Sequence, residues 1–281
     1  MPPQIRPVVD LIEPVYVLEG AGVRLRRSIA TRRLDYLDPF LLFDHFGSDD
    51  PDDYLAGFPM HPHRGIETVT YMLTGRVHHA DSLGNSGDIT AGDVQWMTSG
   101  RGIMHEEMPQ PVDGKMEGFQ LWVNLPARLK MSPPRYQEIL ADGIPVLSRE
   151  GGARIRLVAG QVGETSGPVT EIAADPSYLD VTLLPGGRLE HSIPRGHAAF
   201  AYVFEGQGNF AGSEITATHM AILGDGDIVD ISAGSPGVRF LLVSGLPLGE
   251  PIARYGPFVM NTREEIEQAL RDLRAGTFVQ P

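Results

Sequence analysis

Residues 65–75, GIETVTYMLTG, and residues 196–206, GHAAFAYVFEG, begin and end on glycine and carry small, apolar and aromatic residues at roughly matching places, at an offset of 131. A second pair follows in order: residues 92–100, GDVQWMTSG, lie on residues 226–234, GDIVDISAG, at an offset of 134. Two ordered matches with nearly equal offsets predict a duplicated β module. Around them, short runs such as VYVLEG, FQLWVNL, RIRLV, YLDVTLL and VRFLLV are punctuated by 33 glycines and 23 prolines, the pattern of a sandwich or barrel. The fold expected is all-β, two tandem barrels, with one short C-terminal α-helix. That helix is NTREEIEQALRDLRAG, where Thr262 and Glu265 make a capping-box pattern, Gly276 marks the stop, and Ile266, Ala269, Leu270 and Leu273 form one apolar stripe. Residues 126–136, PARLKMSPPRY, read as the connection between modules, which places the domains at 1–132 and 133–281.

A chain of 281 residues with 42% hydrophobic and 21% charged residues can bury two ordinary cores. No apolar run reaches the roughly 18 to 20 residues that span a bilayer, and the start MPPQIRPVVDLIEP lacks the basic and apolar regions of a signal peptide. A cytoplasmic location is expected, or a nuclear one in a eukaryote, with no membrane partner. The net charge of −13 argues against direct nucleic-acid binding, which needs a concentrated basic face. The basic cluster Arg24, Arg26, Arg27, Arg32 and Arg33 reads as the solvated side of an edge strand, because Val23 and Leu25 alternate with Arg24 and Arg26. With no cysteine in the chain, a transition metal must be held by imidazole and carboxylate.

Two pairs of such donors have strand spacing. His61 and His63 in FPMHPHRGIE, and His105 and Glu107 in GRGIMHEEMP, each place both side chains on one face of an extended chain, so four donors can converge on one divalent ion: Fe, Ni, Cu, Mn or Zn. Glu67 shares the face of His61 and His63 if the strand runs on, and reads as a fifth ligand, a base or an acceptor that orients an imidazole. In the second module Ser192 and Pro194 stand for His61 and His63, and Arg239 and Leu241 stand for His105 and Glu107, so all four donors vanish together. One metal-bearing module beside one without ligands is expected.

The segments HPHRGIETVTYML, GDVQWMTSGRGIMHEEMP and FQLWVNLP resemble the diagnostic stretches of the pirin family of bicupins, and LDPFLLFDHFG and GPFVMNT extend the likeness through most of the chain. The resemblance implies two cupin (jelly-roll-like) barrels and one metal ion, usually iron as Fe(II), held by His61, His63, His105 and Glu107. It also implies activity similar to quercetin 2,3-dioxygenases, in which a flavonol bound through its 3-hydroxyl reacts with O₂, opens its central ring and releases carbon monoxide. Glu107 or Glu67 would accept the hydroxyl proton. Pirins also include iron-dependent transcription cofactors, so the alternative is a regulatory protein that binds other proteins without turnover.

The remaining residues read more plainly. His78 and His79 precede a turn-rich loop and are expected as a solvated pair, and His191, His197 and His219 as ordinary histidines of the second module. Trp96, Met97, Phe119 and Trp122 are expected to fill a core. Phe43, Asp44, His45 and Phe46 roof the cavity on the resemblance alone.

Overall fold

The computed structural model describes residues 2–110 and 114–280. The chain folds as two compact units, and neither is a continuous stretch. The first barrel consists of residues 15–31, 39–141 and 248–281, and the second of residues 1–14, 32–38 and 142–247.

In the first barrel a seven-stranded sheet runs in the order Arg135–Ile139 (β12), Val94–Thr98 (β9), Ile66–Thr74 (β6), Met116–Asn124 (β11), Phe40–Ser48 (β4), Val23–Ile29 (β3) and Val15–Glu19 (β2). A four-stranded sheet runs Phe58–His63 (β5), Ile103–Gln110 (β10), Arg76–Asp81 (β7) and Ser86–Thr90 (β8). Between them Leu25, Phe46, Met72, Val77, Ile89 and Met116 form one buried cluster. A hairpin of Ala253–Tyr255 (β23) and Phe258–Met260 (β24) and the helix Arg263–Ala275 (α1) complete this unit.

The second barrel repeats the plan. Its path is Val8–Ile12 (β1), His219–Leu223 (β21), Ala198–Phe210 (β19), Ile228–Gly245 (β22), Ser177–Leu183 (β17), Ala153–Ala159 (β14) and Val146–Arg149 (β13). Arg188–Ser192 (β18) joins the first half of β22, and Ser213–Thr216 (β20) joins the end of β19. A small ladder, Gln161–Val162 (β15) with Thr165–Ser166 (β16), lies outside this path. Seven strands in one order and four in another thus recur, the second barrel using two long strands where the first uses four. Its interior is an apolar cluster that includes Ile155, Leu179, Leu189, Val203, Ile231 and Phe240.

The tandem all-β architecture and the helix agree with expectation. Thr262 accepts from the Glu265 amide, the Glu265 carboxylate returns to the Thr262 amide, and Gly276 ends the helix in the left-handed region at φ 71°. Only one of the two repeat matches holds. Residues 65–75 and 196–206 do contain the equivalent strands β6 and β19, but β9 corresponds to β21, whereas residues 226–234 contain the first half of β22, the counterpart of β10. Arg239 and Leu241 therefore lie on the counterpart of β11.

The units are also drawn differently from a cut at 132/133. The chain start pairs β1 with β21, and the helix expected in the second domain packs on the first, with Ile266 and Ala269 in one cluster with Phe258, Met260 and Phe278. Residues 126–136 are no free linker: Lys130 is buried, its Nζ donating to the carbonyls of Gly65 (3.0 Å) and Val259 (2.9 Å) and to Asn124 Oδ1 (2.8 Å). Burial pushes its pKa down to about 8. Among the described residues no helix is long and apolar enough to cross a membrane.

Candidate metal centre

β5 and β10 are antiparallel neighbours with His61 opposite His105 and His63 opposite Ile103. The register slips between His105 and Glu107, so that Glu107 faces Phe58, a bulge of the kind that re-aims side chains beside functional sites. His105 and Glu107 share the inward face of β10 and are buried. One ligand nitrogen from each of His61, His63 and His105 lies within 4.8 Å of the other two.

The protonation pattern suits a cation. His61 Nδ1 donates to the Pro59 carbonyl (2.9 Å), which leaves a lone pair on Nε2, and that atom sits 3.1 Å from His63 Nε2. A proton on His63 satisfies this contact, but His105, 1% exposed, has a partner at neither ring nitrogen. A buried unsatisfied polar group costs about 1–3 kcal/mol. An ion at the meeting point of the three rings would give one of the two His105 nitrogens a partner. Burial holds His63 and His105 well below the ordinary imidazole pKa, and neighbouring histidines push in the same direction, so both are neutral donors.

Glu107 falls outside the three-histidine grouping. Its Oε1 accepts from the Thr70 hydroxyl at 2.7 Å and its Oε2 from Gln120 Nε2 at 3.1 Å. Glu67 is not on this face. The strand expected to run through from His61 breaks at Gly65, at φ 81°, where a Cβ would collide with the Val259 carbonyl. Alternation restarts in β6, Thr70 pointing to Glu107, and Glu67 takes the opposite parity, with its Oε1 accepting from Thr98 at 2.9 Å. Glu67 therefore lies on the face of β6 opposite to Thr70.

His78 is solvated and bonded to Asp88, but its expected companion His79 is fully buried in β7. Its ring stacks on Tyr136 at 4.9 Å, lies 5.4 Å from that of His105, and meets Asp81 through Nε2 at 3.3 Å. Strand parity with Val77 was the available signal, masked by the adjacent loop.

A cavity of about 480 Å³ lies beside this centre, and His61, His63, Thr70, Glu107 and Gln120 reach its wall. Leu25, Phe46, Phe58, Met116 and Trp122 supply apolar surface, so Trp122 is a wall residue and not only core, and it meets His63 edge-on at 5.1 Å. Of the expected roof, Asp44 and Phe46 line the cavity, while Phe43 and His45 take the other face of β4 and pack on Phe119. Arg27, expected in solvent, lines the cavity too, paired with both Asp44 oxygens (2.8 and 2.7 Å) and with Glu19 (2.6 Å). The C-terminal hairpin adds Arg254, Gly256 and Pro257, with the Arg254 guanidinium 5.1 Å from the Trp122 ring. Buried Arg64, next to His63, anchors the helix α1 and the residues after it through Asp272 (2.7 Å) and the face of Phe278.

Residues 22–123 match the Pirin family and residues 178–279 match the Pirin C-terminal cupin domain. The chain belongs to the pirin family. A pirin relative from Pseudomonas aeruginosa, carrying the provisional name quercetin 2,3-dioxygenase, is 47% identical over 96% of this chain and 97% of its own length. The crystal structure of quercetin 2,3-dioxygenase from Acinetobacter baumannii superposes with a TM-score of 0.89 at 35% identity, covering 98% of both chains. The fold is shared at 21% identity with the bacterial pirin YhhW from Escherichia coli in complex with nickel(II), with a TM-score of 0.68 over 85% of this chain and 98% of that one. The pirin and bicupin assignments drawn from HPHRGIETVTYML and its neighbours therefore stand.

Proposed function

We propose that this pirin is a mononuclear metal-dependent dioxygenase acting on flavonols such as quercetin, with Fe(II) as its ion and His61, His63, His105 and Glu107 as the residues that hold it. The observation that carries the reading is three convergent imidazoles, two of them at the wall of a cavity of about 480 Å³. The names of the Pseudomonas and Acinetobacter relatives support the substrate class.

An ion bound there would supply a Lewis acid for the hydroxy-keto end of a flavonol and a redox partner for O₂. The residues of the chain do the rest. Trp122, Phe46 and Phe58 offer flat apolar surface to an aromatic ring and keep bulk water from the reacting centre. Glu107, held by Thr70 and Gln120 in the same wall, accepts the proton of the 3-hydroxyl. Flavonol and O₂ then account for the ring-opened ester and carbon monoxide with no further reductant.

Iron-loaded protein is expected to consume O₂ and release carbon monoxide with quercetin, and Glu107→Gln to lose turnover more completely than it loses iron. Protein with a verified full complement of Fe(II) that gives no carbon monoxide across a panel of flavonols would overturn the reading.

A further inference from the structure

The carboxylate of Glu107 is held by a closed triangle. Thr70 Oγ1 donates to Oε1 at 2.7 Å, Gln120 Nε2 donates to Oε2 at 3.1 Å, and the same Nε2 donates to Thr70 Oγ1 at 3.1 Å. Thr70 and Gln120 are direct register partners on β6 and β11, while Glu107 belongs to β10 in the other sheet. The triangle therefore ties the two sheets of the first barrel together across its interior, beside the three histidines. Thr70 is 2% exposed and Glu107 5%, so water competes little for these bonds, and charge-assisted bonds of this kind are stronger than neutral ones.

The second barrel is an internal control. The residue 131 positions after Thr70 is Ala201, on the equivalent strand β19, and its register partner on β22 is Leu242. Glu107 has its counterpart in Ile231: Glu107 pairs with Phe58 and His79, Ile231 pairs with Leu189 and Phe210, and Phe210 stands 131 positions after His79, the offset that relates Thr70 to Ala201. All three members are apolar where no histidine cluster exists. The fold does not need the triangle.

We propose that Thr70 and Gln120 are positioning residues for Glu107, fixing the direction and reach of its carboxylate toward an ion held by His61, His63 and His105. The proposal rests on the metal reading above but not on turnover. Residues that orient a ligand from behind are typically worth 10–100-fold in metal affinity.

The test uses Co(II) as probe with the full-length protein, reading its visible ligand-field spectrum and its dissociation constant. Thr70→Val, which keeps shape and removes the hydroxyl, is expected to weaken Co(II) binding by about tenfold and shift the spectrum. Thr70→Ser should restore both, and Gln120→Leu, the residue type of the second barrel, should resemble Thr70→Val. In a Glu107→Gln background Thr70→Val should change the affinity by less than about twofold, because the group it positions has gone. An equal loss in both backgrounds, or a folded Ser variant that fails to recover, would show a purely structural role and overturn the proposal. Wild-type protein that binds no Co(II) would sink the metal reading and this inference together. Wild type that binds Co(II) but, loaded with iron, releases no carbon monoxide would sink only the dioxygenase reading.

Discussion

The two barrels share a strand order and spend their interiors differently. In the first, β5 and β10 turn His61, His63, His105 and Glu107 inward, and the space above them stays open. In the second, the equivalent β18 and the first half of β22 carry His191 opposite Val229, as β5 and β10 carry His61 opposite His105, and Val229 and Ile231, at the places of His105 and Glu107, are buried in the continuous apolar core. One imidazole thus persists, where a complete loss of donors at Ser192, Pro194, Arg239 and Leu241 was expected. A lone His191 cannot hold an ion, and burial, helped by the positive charge of Arg149, pushes it down to about 4, so it packs as a neutral ring. The lesson is that a pirin barrel stands without the histidine cluster: packing supplies the fold, and the first barrel gives up packing around three convergent imidazoles.

The largest expected effect separates the two barrels by metal content. Elemental analysis of wild-type protein should find about one ion per chain, His61→Ala or His105→Ala should lose most of it, and His191→Ala should lose none. Two tightly held ions, or unchanged content in both first-barrel variants, would break the comparison.

Next in size are the stabilities of two inward-facing positions in metal-free protein. Ile231→Ala opens a cavity in a filled core and should cost about 2–5 kcal/mol. His105→Leu writes the second barrel's kind of residue into the first, removes two unsatisfied buried nitrogens, and should be neutral or stabilising. Calorimetric unfolding of the two variants checks this, and a His105→Leu loss as large as that of Ile231→Ala would show the first barrel's interior to be as tightly packed as the second's.

The smallest effect is a pH slope. Because the folded pKa of His191 lies near 4, below the ordinary 6.5, the unfolded chain binds more protons between these values. Stability from this group is present above pH 6.5 and is lost as pH falls toward 4. His191→Gln should flatten the unfolding free energy over that window by at most about 1.4 kcal/mol per pH unit, measured by urea titration at several pH values. An unchanged slope would mean that His191 is solvated.

Much of this protein is local in origin and could be read without coordinates. The inward direction of the HxH and HxE pairs follows from two-residue alternation, the helix from its Thr262–Glu265 box and Gly276 stop, and the strand-rich tandem plan from turn residues between apolar runs. Interactions within a few residues determine all of these. What tertiary structure decided depends on partners far away in the chain. Which barrel takes a terminal segment is set by pairing of β1 with β21 and by Arg64 gripping Asp272, across some two hundred residues that no local pattern spans. Glu67 turned away because the close approach of Val259 makes Gly65 a break in the strand, and one reset of alternation moves every later side chain to the other face. His79 was buried by Tyr136, and Thr70 and Gln120 became parts of the site because β10 brings Glu107 across the barrel to a pair of strands it does not neighbour. Alternation tells which side chains share a face; only the closure of the barrel brings two faces together.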